Sequence, residues 1–309
     1  SYLLLKKKYK KGHGTCVKSS PRSSVVYSAS YRKHKPDLVV ILDKPNISQE
    51  ILDEFNVPVV WIDHHQLVER DGVNYYNPMA GDSPDNRPTS YWAYRVVEEN
   101  EWVALVGIIG DWHVPEKDIV EKFGYPELLG DAKTPPELMF DTEFGKFIKI
   151  FSFIMKGSNE SMDECINGLE IINDPMEILE RKNEVGKLIY DKYERINREY
   201  EICLKDALCQ EDEGVYVYTY VEDKNSFTGN LSNELLHRLK SEVIIIGREK
   251  DGDFRLSLRS KGKPIRMVLQ KALEEVEGYG GGHDMACGAS VKVQDFSKFI
   301  EIIKKEYKK

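Results

Sequence analysis

Two short apolar runs near the start of the chain, Asp37-Leu38-Val39-Val40-Ile41-Leu42 and Val57-Pro58-Val59-Val60-Trp61-Ile62, restrict the fold more than any other feature. Both are rich in β-branched residues and continuously apolar, as in parallel strands buried on both faces. Between them, Ser48 is a helix N-cap candidate, with Ile51, Leu52 and Phe55 following at helical spacing. This is a strand–helix–strand unit, and it predicts an α/β domain built on a parallel sheet. Each run ends in a polar cluster: Asp43-Lys44-Pro45-Asn46 after the first, Asp63-His64-His65 after the second. Open parallel sheets bind ligands at the carboxyl ends of their strands, so both clusters stand where a site is expected.

The segment Val103-Ala104-Leu105-Val106-Gly107-Ile108-Ile109-Gly110 is apolar all round and ends in Asp111. Periodicity does not decide between buried helix and strand here. Residues 135–172 read as further helices. Asp174-Pro175 then supplies an N-cap and a first-turn proline. A long charged helix is expected to follow, with Ile178, Val185, Ile189, Ile196 and Tyr200 as its apolar stripe, acting as a rigid connector. The second half has strand candidates at 214–221, 242–247, 254–260 and 286–293, and helix candidates at 231–239, 265–276 and 296–307. It reads as a smaller mixed α/β domain. The expected organisation is therefore a first domain over 1–172, a connector over 173–208 and a second domain over 209–309.

Composition narrows the function. Over 309 residues, 44 Lys+Arg stand against 52 Asp+Glu, a net charge of −8. That balance argues against coating long duplex nucleic acid, while leaving room for a local basic groove that takes a short or single strand. No apolar run approaches the roughly 18–20 residues needed to cross a bilayer, so no membrane partner is expected. The five cysteines (Cys16, Cys165, Cys203, Cys209 and Cys287) are odd in number and never in a CxxC pair. A reducing, cytoplasmic location is the expectation from that usage.

Asp63-His64-His65 places a carboxylate and two imidazoles at one strand end, a ligand set suited to Mn²⁺, Mg²⁺, Zn²⁺ or Fe²⁺. Asp43 closes the preceding strand and Asp111 the next apolar segment, so three separate segments aim ligand groups at one sheet edge. A second constellation is Gly280-Gly281-Gly282-His283. Consecutive glycines let backbone N–H groups approach an anion, and His283 can donate to a phosphate oxygen. Arg259 shares a strand face with Arg255 and Ser257 and offers a planar fork to phosphate. Lys261, Lys263 and Arg266 make its neighbourhood basic. Tyr216, Tyr218 and Tyr220 alternate along one strand candidate, a spacing open to base stacking or to ordinary strand packing.

With these residues in hand, the chain resembles the DHH phosphoesterase superfamily, in the branch with a C-terminal DHHA1 domain that includes RecJ-like nucleases, oligoribonucleases and cyclic-dinucleotide phosphodiesterases. The residues that carry the resemblance are Asp63-His64-His65, Asn77-Pro78, Thr89-Ser90, the Asp111 segment, the connector helix, the Ser257–Ser260 strand and the GGGH run. The lysine-, tyrosine- and isoleucine-rich composition is similar to that of archaeal RecJ-like exonucleases. The resemblance implies an N-terminal parallel-sheet DHH domain joined by the connector helix to a smaller DHHA1 domain. It also implies hydrolysis assisted by two divalent ions, usually Mn²⁺, with Asp43, His64 and Asp111 as ligands. His65 would touch the substrate phosphate, and Asp63 would orient the neighbouring imidazole. Arg259, Gly281, Gly282 and His283 would hold the nucleic-acid phosphate or terminal nucleotide. The implied substrates are single-stranded DNA or RNA or short oligonucleotides, and a replication or repair protein is the partner class such relatives suggest.

One part of the pattern is missing. Family members carry an Asp-x-Asp motif after their first strand, and the helix behind it runs into something like Ser1-Tyr2-Leu3-Leu4-Leu5-Lys6. The chain reads as starting just after that motif, and neither His13 nor His34 replaces it, since neither follows an apolar strand. The expectation is an active nuclease in the complete protein, with residues 1–309 alone holding at most one ion. The rival expectation is a non-catalytic RecJ-like scaffold, in which the first motif was never present.

Overall fold

The structure, a computed structural model, describes residues 1–16, 23–210, 214–221 and 224–308. They pack as two units, Ser1–Phe151 with Ile166–Gly186, and Ser152–Cys165 with Lys187–Lys309.

The first unit holds a parallel sheet of β1 (Val39–Leu42), β2 (Val59–Ile62) and β3 (Asn74–Tyr76), in that spatial order. Val39 pairs with Val59, and Ile62 with both Leu42 and Tyr76. Ile41 and Trp61 enter a core with Ile47, Ile51, Leu52 and Val59. Burial on both faces does not hold for β1, where Val40 is 42% exposed. Val40 points to the face opposite Ile41 and its core partners Ile47, Ile51 and Leu52, and that face is less covered. The undecided Val103–Gly110 segment lies in a helix, Glu101–Gly110, packed against the Thr89–Val97 helix. Gly107 permits the contact: a Cβ there would stand 2.5 Å from the Ser90 Cβ. That close approach delivers Asp111, at the end of the second helix, towards the sheet edge.

The long helix begins later than its sequence signals suggest. A one-turn helix covers Met176–Leu179, Arg181 has φ 53°, and the main helix runs Glu184–Leu208. Asn183 supplies the cap, its side-chain oxygen accepting the Gly186 N–H at 2.7 Å. A Cβ on Gly186 would meet the Glu177 carbonyl oxygen at 2.0 Å, so the turn closes only around glycine. Ile178 is buried in the preceding turn, while Ile189, Tyr193, Ile196, Tyr200, Leu204 and Ala207 form the buried stripe. From Lys187 onward this helix packs with the second unit.

The second unit is built on a mixed sheet in the order β4-β5-β6-β8-β7, comprising β4 (Val215–Val221), β5 (Val243–Lys250), β6 (Asp253–Ser260), β7 (Gly278–His283) and β8 (Ala286–Lys292). Only β4 and β5 are parallel. The Arg266–Leu273 and Phe296–Tyr307 helices contribute Leu269, Phe299 and Ile303 to a core with Val243, Ile245, Leu256 and Leu258. Each fully buried Val, Ile or Leu there contributes about 1.5–3 kcal/mol. The opposite face, with Ser257 and Arg259, meets the Thr228–Arg238 helix through Ser232 and Asn233. The glycine run, absent from the strand candidates, forms strand β7 at the sheet edge.

No helix among the described residues is long and apolar enough to cross a membrane.

Candidate metal centre and anion-binding face

The carboxyl ends of β1 and β2 bring the predicted ligands together. Asp43 leaves β1 with φ 58°, a left-handed turn that Asp tolerates better than most residues, while its N–H still bonds to the Ile62 carbonyl. The His64 Nε2 atom lies 3.4 Å from Asp43 Oδ1 and 3.2 Å from Asp111 Oδ2. Ligand atoms of Asp43, His64 and His65 all fall within 4.8 Å of one another. Asp111 adjoins that trio through His64.

The surrounding groups fix how the imidazoles face. His64 Nδ1 lies 3.1 Å from the Asn86 carbonyl oxygen, which can only accept, so Nδ1 carries a proton and Nε2 turns to the carboxylates. Asp63 is fully buried and accepts twice from His65, from Nδ1 at 2.8 Å and from the backbone N–H at 3.0 Å. Asn77 donates to the His65 carbonyl, and the Thr89 hydroxyl donates to Asp43 Oδ1. These are the outer contacts that hold metal-ligating side chains in place.

Electrostatics follow from this geometry. Burial opposes the charged form of Asp43, yet the His64 hydrogen bond and the two imidazoles hold its carboxyl below the ordinary value. Burial likewise opposes protonated His64, but Asp43, the Asn86 carbonyl and the Asp111 charge outweigh it and push the imidazole up to about 9. The His65 value is raised chiefly by its hydrogen bond to Asp63. Burial raises Asp111. A proton on His64 thus balances two carboxylates at neutral pH.

The residues fit a divalent cation. Asp111 Oδ2 is buried and accepts no hydrogen bond among the described residues; its close charge is the His64 imidazole, with Nε2 at 3.2 Å. An imidazole nitrogen and carboxylate oxygens converge beside it, a mixed donor set suited to Mn²⁺, Mg²⁺, Zn²⁺ or Fe²⁺.

Three nearby residues escape a reading of the sequence. Asn86 holds His64 with its carbonyl, and its side-chain oxygen lies 3.4 Å from His113 Nε2. His113 Nδ1 lies 2.8 Å from the Asp111 carbonyl. Trp112, between them, has φ 62°. The Asp-x-His spacing at 111–113 could have flagged His113; nothing in the pattern around Asn86 could have.

The second constellation lies wholly within the second unit. Arg259 pairs across strands with Ala286, which pairs with His283, so all three share one sheet face. Arg259 Nε donates to Asn233 Oδ1 at 2.7 Å, and Nη1 donates to the Leu258 carbonyl at 2.9 Å. Burial lowers its pKa, and no carboxylate pairs with it among the described residues. The glycines differ in purpose. A Cβ on Gly280 would meet the Gly288 carbonyl oxygen at 2.7 Å, and one on Gly282 would meet that of Ala286 at 2.4 Å. Gly281 faces open space.

Other expected basic groups are already engaged. Lys261 donates to the Leu236 and Leu239 carbonyls at a helix end, Lys263 lies over the Tyr307 ring, and Arg266 pairs with Asp284. Tyr216, Tyr218 and Tyr220 are buried, with hydroxyls bonded to the Ala207 carbonyl, Asp206 and the Phe227 N–H. They share a face as their spacing predicts, but helix packing uses that face, and base stacking there is ruled out.

Comparison with known proteins bears on the fold and on the C-terminal domain. Residues 213–309 match the DHHA1 domain. RecJ of Thermus thermophilus in complex with Mn²⁺ shares 16% identity at a TM-score of 0.60, over 90% of this chain and 46% of that one. An exonuclease RecJ bound to manganese shares 15% over 97% of this chain and 80% of its own length, at a TM-score of 0.55. The DHH domain of a member of the s1p family of ribosomal proteins shares 14% over 92% and 73%, also at 0.55. The chain therefore spans less than half the length of the Thermus RecJ. No curated protein sequence matches it. Residues 213–309 thus form a DHHA1 domain, and the chain shares the fold of the RecJ structures.

Proposed function

We propose that this chain is the core of a divalent-metal-dependent phosphodiesterase that trims single-stranded nucleic acid or short oligonucleotides from one end. The observation that carries the proposal is His64 Nε2 at 3.4 and 3.2 Å from the Asp43 and Asp111 carboxylates, with the Asp111 oxygen buried and held by no hydrogen bond among the described residues. RecJ structures of the same fold hold Mn²⁺ or Mg²⁺, which supports a divalent ion here.

In this reading Asp43, His64 and Asp111 hold the ion, which when bound lowers the pKa of a coordinated water and offsets phosphate charge. Loading displaces the His64 proton, because Nε2 must offer its lone pair. His65, with Nδ1 fixed by Asp63, presents Nε2 to a phosphate oxygen. Asp63 keeps that imidazole in one tautomer. In the second unit Arg259 offers a nucleic-acid phosphate a guanidinium that no carboxylate among the described residues neutralises, and the Gly281–Gly282 backbone with His283 flanks the same anion. Among the described residues the ligand atoms of Asp43, His64 and His65 lie within 4.8 Å of one another, and Asp111 Oδ2 lies 3.2 Å from His64 Nε2; that set suffices for one ion.

The test is incubation of the full-length protein with end-labelled DNA and RNA oligonucleotides and Mn²⁺. Stepwise shortening from one end is expected, abolished by a chelator and by His64→Ala. Equal cleavage by wild type and His64→Ala rejects the assignment. Oligonucleotide binding without any cleavage would favour the scaffold reading.

A further inference from the structure

The chain has four tryptophans, and three are anchored. Trp61 is fully buried and donates to the Lys44 carbonyl, Trp92 donates to the Arg87 carbonyl, and Trp102 packs in the core against Phe147 and Phe151. Trp112 differs in every respect. It is 40% exposed, and neither a hydrogen bond nor a ring contact engages its side chain among the described residues. It also sits in a costly conformation. The Trp112 N–H bonds to the Ile109 carbonyl and the His113 N–H to that of Ile108, closing a Schellman-type helix end. The left-handed position of that motif favours glycine, and here it carries the bulkiest side chain, at φ 62°. Its neighbours in the chain are Asp111, 3.2 Å from His64, and His113, whose ring is tied to the Asp111 carbonyl. Packing does not explain a strained, exposed indole at this position; strain retained beside a site is a mark of use.

We propose that Trp112 is a positioning residue that stacks on the nucleobase next to the phosphate held at Asp43, His64 and Asp111, so that the site takes nucleotides with an intact base rather than bare phosphodiesters. This deepens the phosphodiesterase reading and rests on it for the location of the phosphate. An indole face accepts any base, so stacking adds affinity with little sequence preference. The rigid helix end holds the ring in place and limits the ordering cost on binding.

The experiment measures binding of the full chain, with Mn²⁺, to a phosphorothioate-linked five-residue deoxyadenylate and to its abasic counterpart. Trp112→Gly suits the left-handed position and should keep the melting midpoint within a few degrees. It should leave Mn²⁺ affinity unchanged and weaken the base-bearing oligomer about tenfold, as expected for one lost stack. Trp112→Phe should recover most of that loss, and the abasic oligomer should bind all three proteins alike. The proposal is overturned if Trp112→Gly binds the base-bearing oligomer as wild type does, if both oligomers weaken equally, or if Mn²⁺ affinity falls. Base-dependent binding through Trp112 without hydrolysis by wild type would sink the phosphodiesterase reading while sparing this one.

Discussion

The two units treat charge in opposite ways. Around β1 and β2, two carboxylates share one imidazole, and the protonated ring takes the place a cation would fill. On β6 the imbalance is reversed: the half-buried Arg259 guanidinium meets amide and carbonyl oxygens but no carboxylate among the described residues. The Arg259 arrangement is not the one that stability alone would select, since a poorly compensated, partly buried charge is costly. Each unit suits a counter-ion of its own: an anion would answer the charge of Arg259, and a metal ion would satisfy the carboxylates.

The sharpest way to break this contrast is to change one side only. Asp63→Asn keeps the shape of a fully buried side chain but leaves one accepting oxygen for the two His65 N–H groups, so one of them faces an amide donor. Such outer contacts are worth about 10–100-fold in metal affinity or activity. Mn²⁺-dependent turnover should fall by that factor while oligonucleotide binding to the Arg259 face persists. Equal loss of both would remove the distinction between the sites.

The reciprocal change is Arg259→Met. It deletes a charge-assisted contact worth about 1.5–3 kcal/mol, so oligonucleotide affinity should fall about 10-fold or more. Mn²⁺ affinity should be unaffected. The melting midpoint should shift little, because the lost hydrogen bonds are offset by removing a poorly compensated cation. A large drop in stability with unchanged affinity would make Arg259 a structural residue.

The smallest expected effects separate packing from binding within one strand. Gly280→Ala forces a Cβ to 2.7 Å from the Gly288 carbonyl oxygen, an overpacking that costs about 1–3 kcal/mol. Gly281→Ala meets open space and should change stability by less than about 0.5 kcal/mol. Denaturant melts of the two variants, paired with oligonucleotide binding, show whether Gly281 serves the ligand.

The sequence was most readable where chemistry coincided with a strand end. Asp43 and the Asp63–His65 triplet follow apolar runs, and a parallel sheet brings adjacent strand ends together whatever the loops do. Asp111 was found from the apolar run before it, although the form of that run was undecided: a segment apolar on every side has no period to read, and the Gly107–Ser90 approach that makes it a helical neighbour is a tertiary contact. Asn86 and His113 were hidden because their contacts arise from loop placement. The glycine run is not among the strand candidates because glycine lacks strand propensity; pairing with β8, through contacts that exclude a Cβ at Gly280 and Gly282, overrides it. For the tyrosines of β4, period two gave the shared face correctly but not what covers it.

The most direct measurement is a Mn²⁺ titration of the full-length protein followed by electron paramagnetic resonance, beside His64→Ala and Asp43→Asn. Saturable Mn²⁺ binding by wild type, weakened by more than about 100-fold in both variants, is the predicted result, since each loses a ligand rather than an outer contact. Identical Mn²⁺ binding in all three proteins would contradict a metal centre at the ends of β1 and β2.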